Sequence, residues 1–190
     1  NTKLSVFAVG SFSNNFQYRE GISRGGVEVS GVPNSDFDYV NYGFNTNATL
    51  LTNVGLKHKG NKLNYNTLLL NTSNEEQKEF YGVIDKDDDA SEGGGFIQRA
   101  LFTRTQLLVH QLHGEHKVND VVTLNWSGSY NFLHSAEPDR RQITLVPQNI
   151  KEPEGPKSFE YVSASSSNHR FYADLSEEEL AGNFKTTIKL

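Results

Sequence analysis

The sequence predicts an all-β protein of long, antiparallel, up-and-down strands: about six strands of a larger transmembrane β-barrel. Three observations predict it. Alternating segments run to roughly 14 to 20 residues, well beyond the usual strand of ~5–6. One of them, Val122–Phe132, separates apolar from uncharged polar residues by parity. The connections alternate between short turns and long loops.

The parity signal is clearest after Phe96. Two strands are expected within Phe96–Gln142, joined by a polar turn at Gly114–Asp120. In the second, Val122, Leu124, Trp126, Tyr130 and Phe132 share one face, and Thr123, Asn125, Ser127, Ser129 and Asn131 share the other. Side chains alternate across a strand, so one wall is apolar and the opposite wall polar but uncharged. A soluble sheet covers its outer face with Lys and Glu. A wall with lipid outside and a polar interior carries this pattern instead.

The other segments follow in order. Leu4–Tyr18 places Leu4, Val6, Ala8, Phe12, Phe16 and Tyr18 together, with Phe7 and Val9 breaking the opposite polar face. Gly43–Lys57 groups Phe44, Ala48, Leu50, Val54 and Leu56, and Lys62–Gln77 groups Leu63, Tyr65 and Leu69. Between these two, His58-Lys59-Gly60-Asn61 has the chemistry of a tight hairpin turn. The sixth segment, His169–Leu190, aligns Leu180, Phe184, Ile188 and Leu190. Within it, Asp174–Ala181 offers a helical alternative, because Ser176 and Glu179 fit a capping box.

Short turns near 58–62 and 114–120 oppose long loops at 21–42, 79–95 and 137–168. Outer-membrane barrels have this asymmetry, with the long loops outside. Six strands alone leave two open edges, so the chain, residues 1–190, is expected to be a partial barrel domain. It begins at Asn1 and contains no Met, which also suggests a piece of a longer translation product, with a signal peptide possible upstream.

Composition excludes several classes. There is no Cys, hence no disulfide, thiolate metal site or Cys nucleophile. The net charge of −5, with no basic face to offset it, argues against a nucleic-acid partner. No run of 18 apolar residues is present, so no transmembrane helix is expected.

Individual motifs point to no catalysis, metal or cofactor. Asp85, Asp87 and Asp89 occupy the first, third and fifth positions of an EF-hand-like loop, but Ala90 and Phe96 stand where Gly and Glu are required. A flexible acidic loop is the preferred reading over a looser Ca²⁺ site. His110, His113 and His116 are three apart, which on a strand sends neighbours to opposite faces and prevents convergence on a metal. Three glycosylation sequons, at Asn47, Asn71 and Asn125, read as chance matches in an Asn- and Thr-rich chain. Glu137-Pro138-Asp139-Arg140-Arg141-Gln142 reads as the exit of the fifth strand, with regular pairing weakened at Pro138. Its Asp and Arg residues are expected to pair with one another, or else to bind an anionic group.

The order of these motifs resembles the C-terminal barrel of TonB-dependent outer-membrane receptors, in the subclass common in gliding and gut-dwelling Gram-negative bacteria. The resemblance rests on ALFTRTQLLVHQLHGEHK, the tryptophan strand LNWSGSY, the EPDRRQ segment, TNVGLKHKGNKLNYNTLLLNTSNEEQ upstream and RFYADLSEEELAGNFKTTIKL downstream. With KLSVFAVGSFSNNFQYREG at the start, it covers nearly the whole chain.

The resemblance implies a barrel of ~22 strands closed by a plug, energised through TonB and importing an iron chelate, oligosaccharide or peptide. Neither plug nor TonB box is visible here, so both partners would act through other regions. The expected partners are therefore outer-membrane lipid, the protein's own plug, TonB and a small nutrient. On this reading Asn64, Asn66, Arg104, Gln106, Asn125 and Ser127 line the lumen, and Arg140 and Arg141 stand at the rim. The rival readings are a soluble β-rich binding or adhesion domain and a β-rich hydrolase.

Overall fold

Long runs rich in Val, Leu, Thr, Tyr and Phe, interrupted only at turns, leave the backbone no short-range partner and favour ladders between distant segments. A computed structural model describes residues 1–85, 94–148 and 158–189. Those residues form one antiparallel sheet and no helix. The strands are β1 (Thr2–Arg24), β2 (Asp36–His58), β3 (Asn61–Val83), β4 (Gly95–Lys117), β5 (Val122–Pro147), β6 (Phe159–Tyr161) and β7 (His169–Ile188). β1 to β5 pair in sequence order. β6 and β7 share the free edge of β5, β6 along Leu145–Pro147 and β7 along Val122–Gln142. Among the described residues, β1 and β7 are each paired on one side only.

The strands exceed the expected lengths. β1 to β4 have 23 residues each and β5 has 26, which at ~3.3 Å per residue is on the order of 75 Å or more. The expected loops shrink accordingly: β1 reaches Arg24, β2 starts at Asp36, and β5 passes through the EPDRRQ segment to Pro147. The EPDRRQ segment is strand, not loop entry. Asp174–Ala181 is likewise strand, because each of its residues pairs with β5 in an unbroken register. The remainder of the acidic run after Asp85, and the segment 149–157, lie outside the described residues.

Both short turns have local causes. Lys59 and Gly60 adopt φ of 47° and 85°, the left-handed pair that a two-residue type I′ hairpin requires and that Gly adopts freely. At the other, Asn119 Oδ1 accepts from the backbone N–H groups of Val121 (2.9 Å) and Val122 (2.7 Å), an Asx-type closure. Lys117 Nζ meets Asp120 Oδ1 at 2.9 Å beside it. That turn is narrower than the sequence suggested: Gly114 belongs to β4, directly opposite Trp126.

Among the described residues one irregularity interrupts the ladder. Phe102 pairs with Asp139 and Arg104 with Ala136, so Glu137 and Pro138 together oppose the single Thr103. On the other edge Glu137 pairs with Ala173 and Arg140 with Phe171. This is a β-bulge on β5 at Pro138, a residue with no N–H to give a ladder. Pairing does become irregular there, and the strand continues beyond with its parity inverted.

Candidate ligand-facing surface

The registers assign every strand residue to a face. Leu4, Leu56, Leu63, Gly114, Trp126 and Phe184 form one continuous cross-strand row. Rows above it carry Val54, Tyr65 and Leu112, then Leu50, Leu69, Leu108 and Phe132. The apolar stretch is Leu124–Phe132 on β5 and Leu180–Ile188 on β7, matching the ~9–11 residues with which a tilted strand crosses a bilayer. On β1 and β2 it extends to Phe16, Tyr18, Phe44 and Tyr42. A boundary that climbs along the hydrogen-bonded rows is what strands tilted by ~35–45° produce.

Trp126 anchors this face. A Cβ built on Gly114 would lie 2.3 Å from the Trp126 ring, so the indole lies on the glycine and any larger residue there would have to displace it. His116 stacks on the indole at 6.3 Å. Tyr65, His110 and Tyr130 form a further stacked row, with centroids 5.9 and 6.4 Å apart. Tyr65 Oη and Thr67 Oγ1 both lie within hydrogen-bond distance of His110 Nδ1, at 2.6 and 2.9 Å.

The opposite face is polar at its lower end and holds the grooves. Asn64, Asn125 and Ser127 line one of about 260 Å³ with His113, Asn183 and Lys185, where Lys62 Nζ meets Glu115 Oε1 at 2.8 Å. Next to it, Asn53 Nδ2 donates to Asn66 Oδ1 at 2.6 Å. A groove of about 750 Å³ follows, floored by Leu107, Val109 and Leu133 and walled by Gln111, Asn131, Glu177 and Glu179. Asn131 Nδ2 donates to Glu179 Oε2 there. The uppermost, about 300 Å³, includes Glu76, Lys78, Arg99, Leu101, Arg140, Gln142 and His169. Above it, segment 158–168 folds back onto β5: Thr144 Oγ1 donates to the Ser167 carbonyl at 2.8 Å, and Asn168 Oδ1 accepts the Thr144 N–H at 2.8 Å.

Five of the residues expected to face a lumen or rim share this grooved face: Asn64, Asn66, Asn125, Ser127 and Arg140. Arg104, Gln106 and Arg141 do not. Arg104 and Gln106 pair with Ser73 and Asn71 neighbours in the parity of Leu108 and Gly114, and Arg104 Nε donates to Asn71 Oδ1 on that same apolar-band face. Leu107, Leu108 and Val109 run consecutively and hide the alternation that would have assigned β4. Arg141 is displaced by the bulge, which brings Arg140 onto the grooved face and turns Arg141 away.

Asp139 and Arg140 of the EPDRRQ segment find other partners than the expected ones. Arg140 Nε lies 3.4 Å from Glu137 Oε1, but Asp139 turns to β7 and takes a two-pronged contact from Arg170, at 2.8 and 3.1 Å. Lys78, Arg99, Gln142 and His169 were missed. Their signal is relational, because only the register shows that distant polar residues fall into one row. The three His do split, His110 and His116 on one face and His113 on the other, and no cluster able to hold a metal occurs among the described residues.

No protein-family model matches the chain, and no curated protein matches it. The surface itself carries the functional argument.

Proposed function

We propose that the chain is a section of the wall of an outer-membrane β-barrel transporter of the TonB-dependent receptor type. It is a non-enzymatic part that helps to admit a scarce nutrient such as an iron chelate, oligosaccharide or peptide. One observation carries this reading: a bilayer-width apolar band with Trp126, Tyr65, Tyr130 and Phe184 on one face, and every groove described above on the other. The lipid side is then the Trp126 face, and the plug, the solute and TonB-linked movements belong to the grooved side.

The packing supports it. Among the described residues only Ile97 and Val146 are buried hydrophobics, whereas Leu50, Leu69 and Phe184 are 42, 39 and 66 % exposed. Covering such side chains is worth on the order of 1 kcal/mol each, and a soluble sandwich would do so with a second sheet. The described residues form one sheet only. Lipid is the cover this reading supplies.

The test is refolding of the full chain with and without detergent or lipid vesicles, read by circular dichroism and sedimentation. The expected outcome is β structure and dispersion only with detergent or lipid. A folded, monomeric chain in plain buffer would overturn the proposal and favour a soluble binding domain.

A further inference from the structure

The uppermost groove contains an arrangement that strand pairing alone disfavours. Lys78 and Arg99 are direct cross-strand partners, and like charges placed opposite one another destabilise a sheet. Lys78 Nζ is met by Glu76 Oε2 at 2.9 Å. Among the described residues Arg99 meets no carboxylate: its Nε donates to Gln142 Oε1 at 2.6 Å, and its guanidinium lies 5.2 Å from the Phe80 ring centroid. Arg140, two residues before Gln142, lies over Phe171 at 4.3 Å and has Glu137 beside it. Lys78, Arg99 and Arg140 thus face Glu76 and Glu137, a local positive excess in a chain of net charge −5.

We propose that this groove binds an oxyanion, a carboxylate or phosphate group of the solute, with Arg99 as its main ligand and Lys78 and Arg140 completing the site. The inference rests on the assignment of the grooved face to the solute and names the class of solute it takes. The geometry suits the chemistry. Phe80 and Phe171 hold two guanidinium groups by their faces, a contact Arg makes readily. Phe80 is itself fixed by Tyr39 and Phe37, with centroids 6.0 and 5.8 Å away. Among the described residues only Nε of Arg99 donates a hydrogen bond, so its terminal nitrogens keep the planar fork that grips carboxylate and phosphate in two-pronged fashion. A volume of about 300 Å³ accommodates a small polyanion. The bulge at Pro138 is what brings Arg140 to this side at all.

The experiment is calorimetric titration of the full chain, refolded in non-ionic detergent, with inorganic phosphate, citrate and, as a neutral control, maltose. At least one anion is expected to bind while maltose does not, and the stronger of the two identifies the oxyanion class. Arg99→Gln should weaken that binding at least tenfold, and Arg99→Lys should weaken it less. Arg104→Gln, on the opposite face, should leave it unchanged. Circular dichroism of each variant separates loss of the site from loss of folding. No binding of either anion, or equal binding by a folded Arg99→Gln variant, would overturn the proposal. Detergent dependence is read separately. A chain that binds anion but folds as a monomer in buffer keeps the site and loses the barrel wall, while one that needs lipid and ignores both anions keeps the wall and loses the site.

Discussion

Trp126 lies directly on Gly114 across the β4–β5 ladder, so close that a Cβ at residue 114 would stand 2.3 Å from the indole. Gly114→Val should push the indole off the sheet. The expected cost is about 1–3 kcal/mol, the usual range for overpacking, measured by urea unfolding in detergent. Because the chain has one Trp, its emission reports the displacement without ambiguity.

Neighbouring residues of β5 should respond oppositely to the same charge. Tyr130→Arg places a cation one row from the middle of the apolar band and should destabilise the lipid-inserted state by ~2–4 kcal/mol. Ser129→Arg points to the grooved face, where Ser129 lines a recess of about 170 Å³, and should cost well under ~1 kcal/mol, as surface changes do. Equal effects in bilayer unfolding titrations would contradict the assignment of faces.

The bulge makes a positional prediction. Deleting Pro138 removes the extra residue opposite Thr103, so the alternation becomes regular while each residue beyond keeps its partner. Arg140 should then stay opposite Leu101 and Phe171 on the grooved face, with Arg141 still turned away. Single-Cys labelling with a membrane-impermeant reagent reads this: Arg140→Cys should label from the groove with or without Pro138, and Arg141→Cys in neither background.

At the β4–β5 turn, Lys117 donates to the Asp120 carboxylate and, with its charge, holds that carboxyl below its ordinary value. A depressed folded-state pKa contributes stability above the unfolded value, near 3.9, and loses it as pH falls through the lowered one. The group is exposed, so the effect is small. The unfolding midpoint of Asp120→Asn should lie slightly below that of the parent at neutral pH and converge with it as pH falls through the lowered value. A gap that persists in acid would show that the turn depends on something other than this pair.

The sheet was legible in the sequence because parity survives wherever small polar residues separate large apolar ones, as from Val122 to Phe132. Lys59-Gly60 was legible because few other dipeptides satisfy its backbone. Strand ends were not: Arg24, Asp36 and Val83 continue ladders whose only cause is a partner strand far away in sequence, and polar residues there look like loop. The grooved face was half legible. Asn64, Asn66, Asn125 and Ser127 follow simple alternation, whereas Arg104 and Gln106 border the Leu107–Val109 run that erases it, and Arg140 and Arg141 change places through one inserted residue. Neither the Lys78–Arg99 juxtaposition nor the apolar floor of Leu107, Val109 and Leu133 has a local sequence signal, since both exist only across strands.

The central claim is that the Trp126 face meets lipid. It is tested most directly by the fluorescence of that single Trp in vesicles containing bromine-labelled acyl chains, with aqueous iodide as the competing quencher. The expected result is strong quenching by brominated lipid and little by iodide. Quenching by iodide with no response to brominated lipid would place Trp126 in water and contradict the membrane-wall reading.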